Sequence, residues 1–499
     1  MLDDSFAFKS IKEIQNLYKE KQLSPVEITE LYIDRIQKLN GKLNAYLTYS
    51  FEHAIDKAKL AEKEIQSGQN KGLLHGIPVA VKDLELTKGI RTTSGSLIYK
   101  NRIPDSDSIV VERLKANNAI ILGKTNTPEF GLLGETKNLL GDHCRNPWNI
   151  DKTSGGSSGG SGAAVVAGMC SVATGSDGGG SIRIPASFTG VYGIKPTQGR
   201  IPRPGLNPPL SSHTAQAGPM SRSVMDSAIL FQVMAGYDSR DIFSLTETIP
   251  NFTAAAESGS KNGISGMKVG WTPDYGYAKV DPEVLSICEK AANAFQSLGC
   301  SVSLSDFSID DPFLPWLTLF GTSSLSSNLE FWPNRANEMA DYTQETYKLA
   351  SNFSAADFSR GVGNIQTIRK ELGKEFEKFD ILLSPTMAVP PYDCGQPPRE
   401  INDHKLDGSW GCLPFTYPIN SAGYPAASIP AGMTDNGLPV GLHVIGKFGD
   451  EETIIKASAA FESSHPWSDL RPQVCCTTPN ENIDTYNIRL GVVRGSGPY

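Results

Sequence analysis

The sequence predicts an α/β fold, in which short buried strands alternate with helices around one core. Apolar runs of strand length at residues 77–81 and 119–123 are typical of strands buried on both faces. Residues 108–116, which lie between them, show helical periodicity instead. The 499 residues are enough for several average domains, but large α/β folds often exceed that average as one unit.

Residues 1–69 are predicted to form an N-terminal helical segment that packs on the core. Ser24 supplies an N-cap, Pro25 occupies the first helical position, and Glu27 adds an acid to the first turn. Apolar residues then recur at helical spacing, at Ile28, Leu31, Tyr32 and Ile36. This spacing predicts one buried helix face.

The second half of the chain contains further helical and loop patterns. Residues 223–235 predict a helix, and residues 268–303 predict a strand, a loop and an amphipathic helix. Residues 251–266 are rich in Ser, Gly and Ala, which indicates a surface loop. The tail, residues 473–499, shows no clear periodicity and fits either a strand over the sheet edge or an unstructured end.

The most informative stretch is residues 154–181, which is dense in serine and glycine. Such a composition is also typical of a flexible linker. However, residues 163–167 form an apolar block of small side chains, which a buried helix needs and a linker does not. A serine nucleophile requires a base and backbone NH groups for the developing oxyanion. Glycines beside serines provide the tight backbone for those NH groups, so this stretch lacks only the base.

Two glycine-rich motifs stand in this stretch, GGSSGG at residues 155–160 and GSDGGGSIRIPA at residues 175–186. Other motifs flank them in order: GIPVAVKD at 76–83, GKTNTPEFG at 123–131, RNPW at 145–148, GIKPT at 193–197, PAGM at 430–433 and GLPVG at 437–441. Over residues 10–472 the chain resembles the amidase signature family of serine amidohydrolases. The resemblance implies a single domain at residues 70–472, with a large mixed twisted β-sheet surrounded by α-helices. Residues 251–370 are its expected variable substrate-pocket segment.

The resemblance also implies roles for single residues. Ser181 matches the nucleophile, Ser157 matches a bridging serine on a cis peptide bond, and Lys82 matches the base. Ser157 is implied rather than Ser158 because it stands 24 residues before Ser181. The backbone NH groups of the oxyanion hole match Gly178, Gly179, Gly180 and Ser181.

Lys82 has to be neutral to accept a proton, because an ammonium group cannot. Burial in a low-dielectric pocket lowers the pKa of a lysine, and the flanking residues 79–81 are apolar enough to be buried. A strand lysine is ordinarily a surface residue. The position of Lys82 relative to the two serines favours a buried base. It would take the proton of Ser157 while Ser157 takes that of Ser181, which leads to an acyl-enzyme and ping-pong kinetics.

Five neighbouring residues are candidates for supporting roles. Ser154, Ser158 and Ser176 could join the network through hydrogen bonds or could bond to their own turn. Asp177 and Arg183 flank the nucleophile. For this pair, a structural ion pair that holds the loop is favoured over a clamp for a substrate carboxylate.

Two groups of residues are candidates for the substrate pocket. In the family, the segment that matches Phe130, Gly131 and Leu132 lies against the substrate. Leu132 is apolar and favours an apolar substrate group over a charged one. Trp316 and Phe320 either line the pocket or belong to the core.

Composition argues against several other classes of protein. None of the seven histidines stands in a Ser-His-Asp motif, and no Cys or His pair has ligand spacing, so neither a metal nor a cofactor is expected. The net charge of -8 argues against nucleic acid or an anionic membrane as a partner. No apolar run is long enough to span a membrane.

The expected location is the cytoplasm. Eight scattered cysteines predict free thiols in a reducing compartment, and the acidic start of the chain lacks the pattern of a secretion signal. The expected partners are small-molecule substrates. The resemblance also implies that two copies of this chain form a homodimer.

The predicted function is hydrolysis of the C–N bond of linear carboxylic amides through a Ser181 acyl-enzyme, with esters and carbamates as side substrates. A second hypothesis is the glutamine-hydrolysing component of an amidotransferase, which acts with partner subunits on misacylated tRNA. Residues 127–130 read Thr-Pro-Glu-Phe where that branch has Met-Asp-Glu-Phe, which favours a stand-alone amidase. The third hypothesis is an inactive amidase-like scaffold that binds a partner, which the retention of Lys82, Ser157 and Ser181 opposes.

Overall fold

The computed structural model describes residues 2–204, 212–406 and 408–475. Its strands in chain order are β1 (Tyr46–Tyr49), β2 (Pro78–Lys82), β3 (Ile120–Thr125), β4 (Arg145–Asn146), β5 (Asn149–Thr153), β6 (Val172–Asp177), β7 (Tyr192–Lys195), β8 (Gln216–Ser221), β9 (Lys268–Trp271), β10 (Ser301–Leu304), β11 (Ile381–Pro385), β12 (Glu400–Ile401), β13 (His404–Lys405), β14 (Ala426–Met433) and β15 (Pro439–Gly446).

Eleven of these strands form one sheet, in the order β1-β3-β2-β6-β8-β7-β14-β15-β11-β9-β10. Strand β2 runs parallel to both of its neighbours, β3 and β6, whereas β8 runs antiparallel to β6 and β7. The short strands pair separately, β4 with β5 and β12 with β13. The predicted α/β fold with a large mixed sheet is therefore confirmed.

Helices cover this sheet. In chain order they are α1 (Ile11–Lys19), α2 (Pro25–Leu43), α3 (Phe51–Gln66), α4 (Ile109–Ala116), α5 (Gly159–Val166), α6 (Arg183–Thr189), α7 (Val224–Met234), α8 (Phe252–Asn262), α9 (Pro282–Ala294), α10 (Phe313–Ser326), α11 (Asp341–Ala350), α12 (Ala355–Lys378), α13 (Tyr417–Ala422) and α14 (Glu451–Ser464). None of the helices within the described ranges is both long and apolar enough to cross a membrane.

Local sequence signals explain several of these helices. The Ser24 side chain accepts the NH of Glu27 at 3.2 Å, and the Glu27 carboxylate accepts the NH of Ser24 at 2.8 Å, so α2 begins with the expected cap. Helices α4 and α7 begin after the capping serines Ser108 and Ser223. The predicted helices at residues 108–116 and 223–235 are confirmed.

The N-terminal segment contains one strand besides its helices. Strand β1 pairs with β3 and forms one edge of the large sheet. From α2, the fully buried Arg35 donates hydrogen bonds of 2.8 Å to the carbonyl oxygens of Ala167 and Gly168. Residues 1–69 therefore contribute both to the sheet and to the packing of the core around it.

The prediction of a surface loop at residues 251–266 is wrong, because most of this segment forms helix α8. The Asn251 side chain accepts the NH of Ala254 at 3.0 Å and caps the helix. Phe252 stacks on Phe231 with ring centroids 3.9 Å apart, and Gly259 lies against the backbone of Lys456 in α14. Small side chains permit this close contact between two helices, so the composition that suggested a loop in fact serves helix packing.

The segment 268–303 forms β9, a loop, α9 and β10, and this prediction is confirmed apart from the strand at its end. At the other end of the chain, residues 473–475 form a short 3-10 helix. The rest of the predicted tail lies outside the described residues.

Candidate active site

The parallel strands β2 and β6 place the site residues together. Lys82 is the last residue of β2, and Asp177 is the last residue of β6. Parallel strands have their carboxyl ends at the same edge of the sheet, where open α/β folds bind ligands. Ser157 precedes α5 and follows a cis peptide bond with Gly156, while Ser181 follows the turn after β6.

The Lys82 amine lies among three serines. Its Nζ is 2.8 Å from Ser157 Oγ, 2.8 Å from Ser158 Oγ and 3.0 Å from Ser176 Oγ. The side chain is completely buried. Burial, assisted by the positive charge of Arg203, holds the pKa of Lys82 well below its usual value. The environment thus favours a neutral amine within hydrogen-bond distance of the Ser157 hydroxyl.

Ser181 faces the segment that carries Ser157. The NH of Ser158 donates to the Ser181 carbonyl oxygen at 3.0 Å, which fixes the two segments side by side. The Ser181 residue is 8% exposed and Ser157 is 2% exposed. Ser181 is therefore the more accessible of the two hydroxyl-bearing residues, as an attacking group has to be.

The turn 178–181 has backbone NH groups available for an oxyanion. The amides of Gly178, Gly179 and Ser181 donate to no other residue that the structure describes. The NH of Gly180, in contrast, donates to the Asp177 carboxylate at 2.7 Å. The expectation that Gly180 joins the oxyanion hole is therefore corrected, since its NH is already engaged.

Asp177 and Arg183 form a buried ion pair behind the turn. Their side chains are 2.9 Å apart, and neither is exposed. Burial disfavours the charge on Asp177, yet the Arg183 guanidinium holds the pKa of this carboxyl well below its usual range. Asp177 also accepts the NH of Ile182 at 3.1 Å. The pair therefore anchors the turn and is sealed off from a substrate carboxylate.

Of the other predicted serines, Ser158 and Ser176 contact the lysine amine and Ser154 does not. The Ser154 hydroxyl donates to the Cys144 carbonyl oxygen at 3.0 Å and stabilises the loop there. A residue that the sequence did not suggest, Thr174, accepts the NH of Lys82 at 2.9 Å. Its position two residues before Ser176 in the same strand could have indicated it.

Trp316 and Phe320 cover the turn from helix α10. The Trp316 Nε1 donates to the Gly178 carbonyl oxygen at 2.8 Å, and this side chain is completely buried. Phe320 stacks on Trp316 at 4.9 Å, and a Cβ added at Gly178 would lie 2.7 Å from its ring. The buried Trp316 therefore supports the turn through its hydrogen bond to Gly178. Phe320 lies beside Trp316 and is partly exposed.

Phe130, Gly131 and Leu132 approach the serines from the segment that follows β3. A Cβ added at Gly131 would be 3.3 Å from Ser157 Oγ, so this backbone passes directly over the hydroxyl. Phe130 and Leu132 belong to an apolar cluster that also contains Phe320. The other members of this cluster, called the apolar wall below, include Ile98, Leu325, Phe331, Trp332, Met339 and Tyr347.

A further contact to the turn comes from a distant part of the chain. Thr416 Oγ1 donates to the Gly179 carbonyl oxygen at 2.6 Å, across 237 residues of sequence. Asn420 donates to the Asp177 carboxylate at 2.8 Å. No local pattern links these residues to the glycine turn, so sequence reasoning had no signal by which to find them.

Comparisons with known proteins identify the family of this chain. The family model described as Amidase matches residues 27–455. An acylamidase from Rhodococcus erythropolis is 33% identical over 486 residues, which cover 95% of this chain and 98% of that relative. A glutamyl-tRNA(Gln) amidotransferase subunit from Thermosynechococcus vestitus is 35% identical over 492 residues, which cover 93% of this chain and 99% of that relative.

A solved structure extends the comparison to the fold. The crystal structure of a bacterial aryl acylamidase of the amidase signature family has a TM-score of 0.87 and 32% identity, and the match covers 95% of this chain and 99% of that chain. The large mixed sheet and the helices around it are thus shared across almost the whole length. Because the family model and the solved fold both match nearly end to end, this chain is a member of the amidase signature family.

Proposed function

We propose that this protein is a stand-alone amidase that hydrolyses linear carboxylic amides through an acyl-enzyme on Ser181. The observation that carries the proposal is the buried Lys82 amine, which lies 2.8 Å from Ser157 Oγ and whose pKa burial lowers well below its usual value. A neutral amine beside a hydroxyl is the base that a serine nucleophile needs in the absence of histidine.

The proposed reaction begins with two proton transfers. Lys82 accepts the proton of Ser157, Ser157 accepts that of Ser181, and Ser181 Oγ attacks the amide carbonyl carbon. The NH groups of Gly178, Gly179 and Ser181 stabilise the oxyanion that forms. When the intermediate collapses, the C–N bond breaks and Ser157 gives its proton to the leaving amine. The Lys82 ammonium then returns a proton to Ser157, so that the Lys82 amine is neutral again. Water then attacks the acyl-enzyme by the same route and releases the acid.

The apolar wall supports an amide with a bulky apolar group as the substrate. Phe130 packs edge-on against Tyr99 at 6.2 Å and stacks near Tyr347 at 6.3 Å, so aromatic rings surround the residue next to Gly131, whose backbone lies against Ser157. An apolar substrate group gains from leaving water against such a surface, at roughly 25 cal/mol per Å². The acylamidase among the relatives is consistent with this substrate class.

The amidotransferase relative supports a second candidate function, release of ammonia from glutamine. Glutamine carries an ammonium and a carboxylate group, which are costly to bury without charged partners. The side chains of the apolar wall provide no such partner. We therefore rank the amidotransferase function below the amidase function, and an inactive scaffold below both.

Esters and carbamates are proposed as further substrates because their acyl transfer uses the same groups. We propose small molecules rather than nucleic acid or membrane as partners, and a homodimer as the assembly. Six described cysteines are free thiols, which supports the proposed location in the reducing cytoplasm: Cys144, Cys170, Cys288, Cys300, Cys394 and Cys412.

The decisive experiment compares the wild-type protein with Ser181→Ala on a panel of anilides, aliphatic amides, esters and carbamates. We expect hydrolysis by the wild type, fastest with apolar acyl groups, and loss of turnover in Ser181→Ala. The matched control is Ser154→Ala, which alters a serine in the same region that does not contact Lys82 and should retain most of the activity. Turnover that survives in Ser181→Ala would contradict the assigned nucleophile.

A glutamine assay separates the two enzymatic candidates. Ammonia released from glutamine faster than from any apolar amide, or stable copurification with a second, tRNA-binding protein, would favour the amidotransferase function. An inactive scaffold predicts neither hydrolysis of the panel nor labelling of Ser181 by a fluorophosphonate.

A further inference from the structure

Three side chains with metal-binding donor atoms converge outside the serine site. They are Glu135, His143 and Cys394, and their donor atoms all lie within 4.8 Å of one another. The His143 Nδ1 is 2.8 Å from the Glu135 Oε1. Glu135 and His143 are eight residues apart, whereas the loop of Cys394 is about 260 residues further along the chain. This separation explains why sequence spacing indicated no metal site.

Backbone contacts hold the two loops in place. The NH of Gly395 donates to Glu135 Oε1 at 2.6 Å, and the NH of Cys394 donates to the Asp151 carbonyl oxygen at 3.0 Å. The backbones of Lys152 and Asp393 pair as an isolated antiparallel β-bridge. Their side chains form an ion pair of 3.0 Å. The donors are thus arranged by the fold before any ligand arrives.

Accessibility and charge at the cluster suit a cation. The Glu135 side chain is 4% exposed and that of His143 is 24% exposed, so one side of the cluster is open to solvent. The nearby cations are already paired, Arg145 with Asp142 and Lys152 with Asp393.

The donor set selects the kind of ion. A thiolate, an imidazole and a carboxylate together are typical ligands of Zn²⁺, which binds them at about 2.0–2.3 Å in tetrahedral geometry. Two tetrahedral ligands at about 2.05 Å are roughly 3.3 Å apart, so Glu135 and His143 have to separate by only a few tenths of an ångström. Calcium and magnesium prefer sets made of oxygen atoms alone.

We propose that Glu135, His143 and Cys394 bind one Zn²⁺ ion, with water in the fourth position. The ion would join the 391–396 loop to the segment at Glu135, whose backbone lies directly against Gly156 beside Ser157. This site is separate from the Lys82 network and takes no part in the proposed hydrolysis. Its effect is to cross-link two loops that border the active site.

A cysteine nucleophile activated by His143 is the competing interpretation of the same cluster. Burial, together with the carboxylates of Glu135, Asp142 and Asp393, raises the pKa of the Cys394 thiol to about 11. A thiol with such a pKa is a poor nucleophile at neutral pH. The His143 Nδ1 moreover contacts Glu135 Oε1 at 2.8 Å, and all three donors lie within 4.8 Å of one another, so the geometry favours metal binding.

The test titrates untagged, chelator-treated protein with Zn²⁺ by calorimetry and with Co²⁺ by absorption. We expect one equivalent to bind, a thiolate-to-cobalt charge-transfer band, and a higher Tm in the presence of Zn²⁺. In Cys394→Ser and His143→Asn the affinity for Zn²⁺ should fall by about 100-fold or more, and the cobalt band should vanish in Cys394→Ser.

Two further variants keep the test decisive. Glu135→Gln retains an oxygen that accepts the Gly395 NH, so it preserves the loop while it removes the charged ligand, and it should also bind Zn²⁺ weakly. Cys300→Ser is the matched control, because Cys300 is a buried free thiol outside the cluster and burial raises its pKa to about 11 as well. Circular dichroism of the metal-free variants verifies their folding. Absence of binding to the wild type, or undiminished binding in Cys394→Ser and Glu135→Gln, would overturn the proposal.

Discussion

The chemistry of the proposed reaction depends at the residue scale on one buried lysine. Lys82 lies at the end of a strand whose five residues are all buried, and its amine contacts serine hydroxyls and the Ser176 carbonyl oxygen rather than a carboxylate. Without an anionic partner, burial disfavours the ammonium form. Lys124 on the adjacent strand is also buried, and burial lowers its pKa to about 8. The two lysines differ in their contacts. The Lys124 amine contacts the Thr87 hydroxyl, whereas only the Lys82 amine contacts the site serines.

The pH dependence of kcat/KM should report the titration of Lys82. The neutral form is the active one, so activity rises as the pH increases through the lowered pKa, at a pH well below 10.5. Lys82→Met should lose about 100-fold or more of kcat/KM and this acid limb. The measurement is kcat/KM as a function of pH for the wild type and for Lys82→Met.

Lys124→Met is the control for that prediction. It removes a buried lysine of the same sheet region but leaves the Lys82 amine and its serines in place. We expect its acid limb to coincide with that of the wild type. If the inflection moved in Lys124→Met and stayed in Lys82→Met, Lys82 would not be the base.

At the scale of elements, helix α10 acts as a support for the glycine turn. Its Trp316 donates to the Gly178 carbonyl oxygen, and a Cβ added at Gly179 would clash with the same indole ring. Glycine is thus required in the turn because helix α10 packs directly onto it. The sequence alone is compatible with Trp316 in the pocket or in the core, and its complete burial places it in the support.

Trp316→Phe should lower kcat more than it raises KM. The substitution keeps an aromatic ring but removes the hydrogen bond to Gly178, which is worth about 1 kcal/mol, or roughly a fivefold change in rate. Steady-state kinetics with an apolar anilide would measure this effect. The matched control is Trp148→Phe, which removes a bond of the same length to the Thr189 carbonyl oxygen away from the site. Equal effects of the two substitutions on kcat would contradict the supporting role.

At the scale of the whole molecule, two buried carboxyl groups join separate parts of the chain. Asp226 in α7 accepts the NH of Ile11 at 2.9 Å, and Glu462 in α14 accepts the NH of Val224 at 3.0 Å. Burial raises the pKa of Asp226 to about 6 and that of Glu462 to about 8. Helices α1, α7 and α14 therefore meet at two carboxyl groups, and burial favours the protonated form of each.

These groups should make the free energy of unfolding decrease as the pH rises. Between the unfolded-state pKa of a carboxyl and its raised folded-state pKa, the unfolded chain binds fewer protons, so stability is full below about pH 4.5 and declines up to about pH 8 for Glu462. Glu462→Gln should reduce the total decline in the free energy of unfolding, by roughly 1.4 kcal/mol for each unit of pKa shift removed. Urea unfolding at a series of pH values measures it.

Glu371→Gln serves as the control for the stability prediction. Glu371 forms a surface ion pair with Lys374 at 2.7 Å, and such pairs contribute about 0–1 kcal/mol. Its pH profile should match that of the wild type. A profile for Glu462→Gln that is as steep as the control would mean that other groups cause the decline.

The sequence was informative wherever neighbouring residues carry the signal. The apolar run at 77–81 and the helical pattern at 108–116 correspond to β2 and α4, because periodicity and caps act over a few residues. The same local reasoning failed at residues 251–266, where Ala and Gly suggested a loop. These small residues instead permit α8 to contact α14, which no local pattern encodes.

The sequence by itself determined the α/β class, the family resemblance and the candidates Lys82, Ser157 and Ser181, because motifs and periodic patterns are written in consecutive residues. Only the tertiary structure decided that Gly180 is engaged by Asp177, that Trp316 supports the turn, and that Cys394 meets Glu135 and His143. These contacts join segments through packing or through the detailed path of a turn. Their geometry depends on how the whole chain closes around the sheet, which local pattern does not specify.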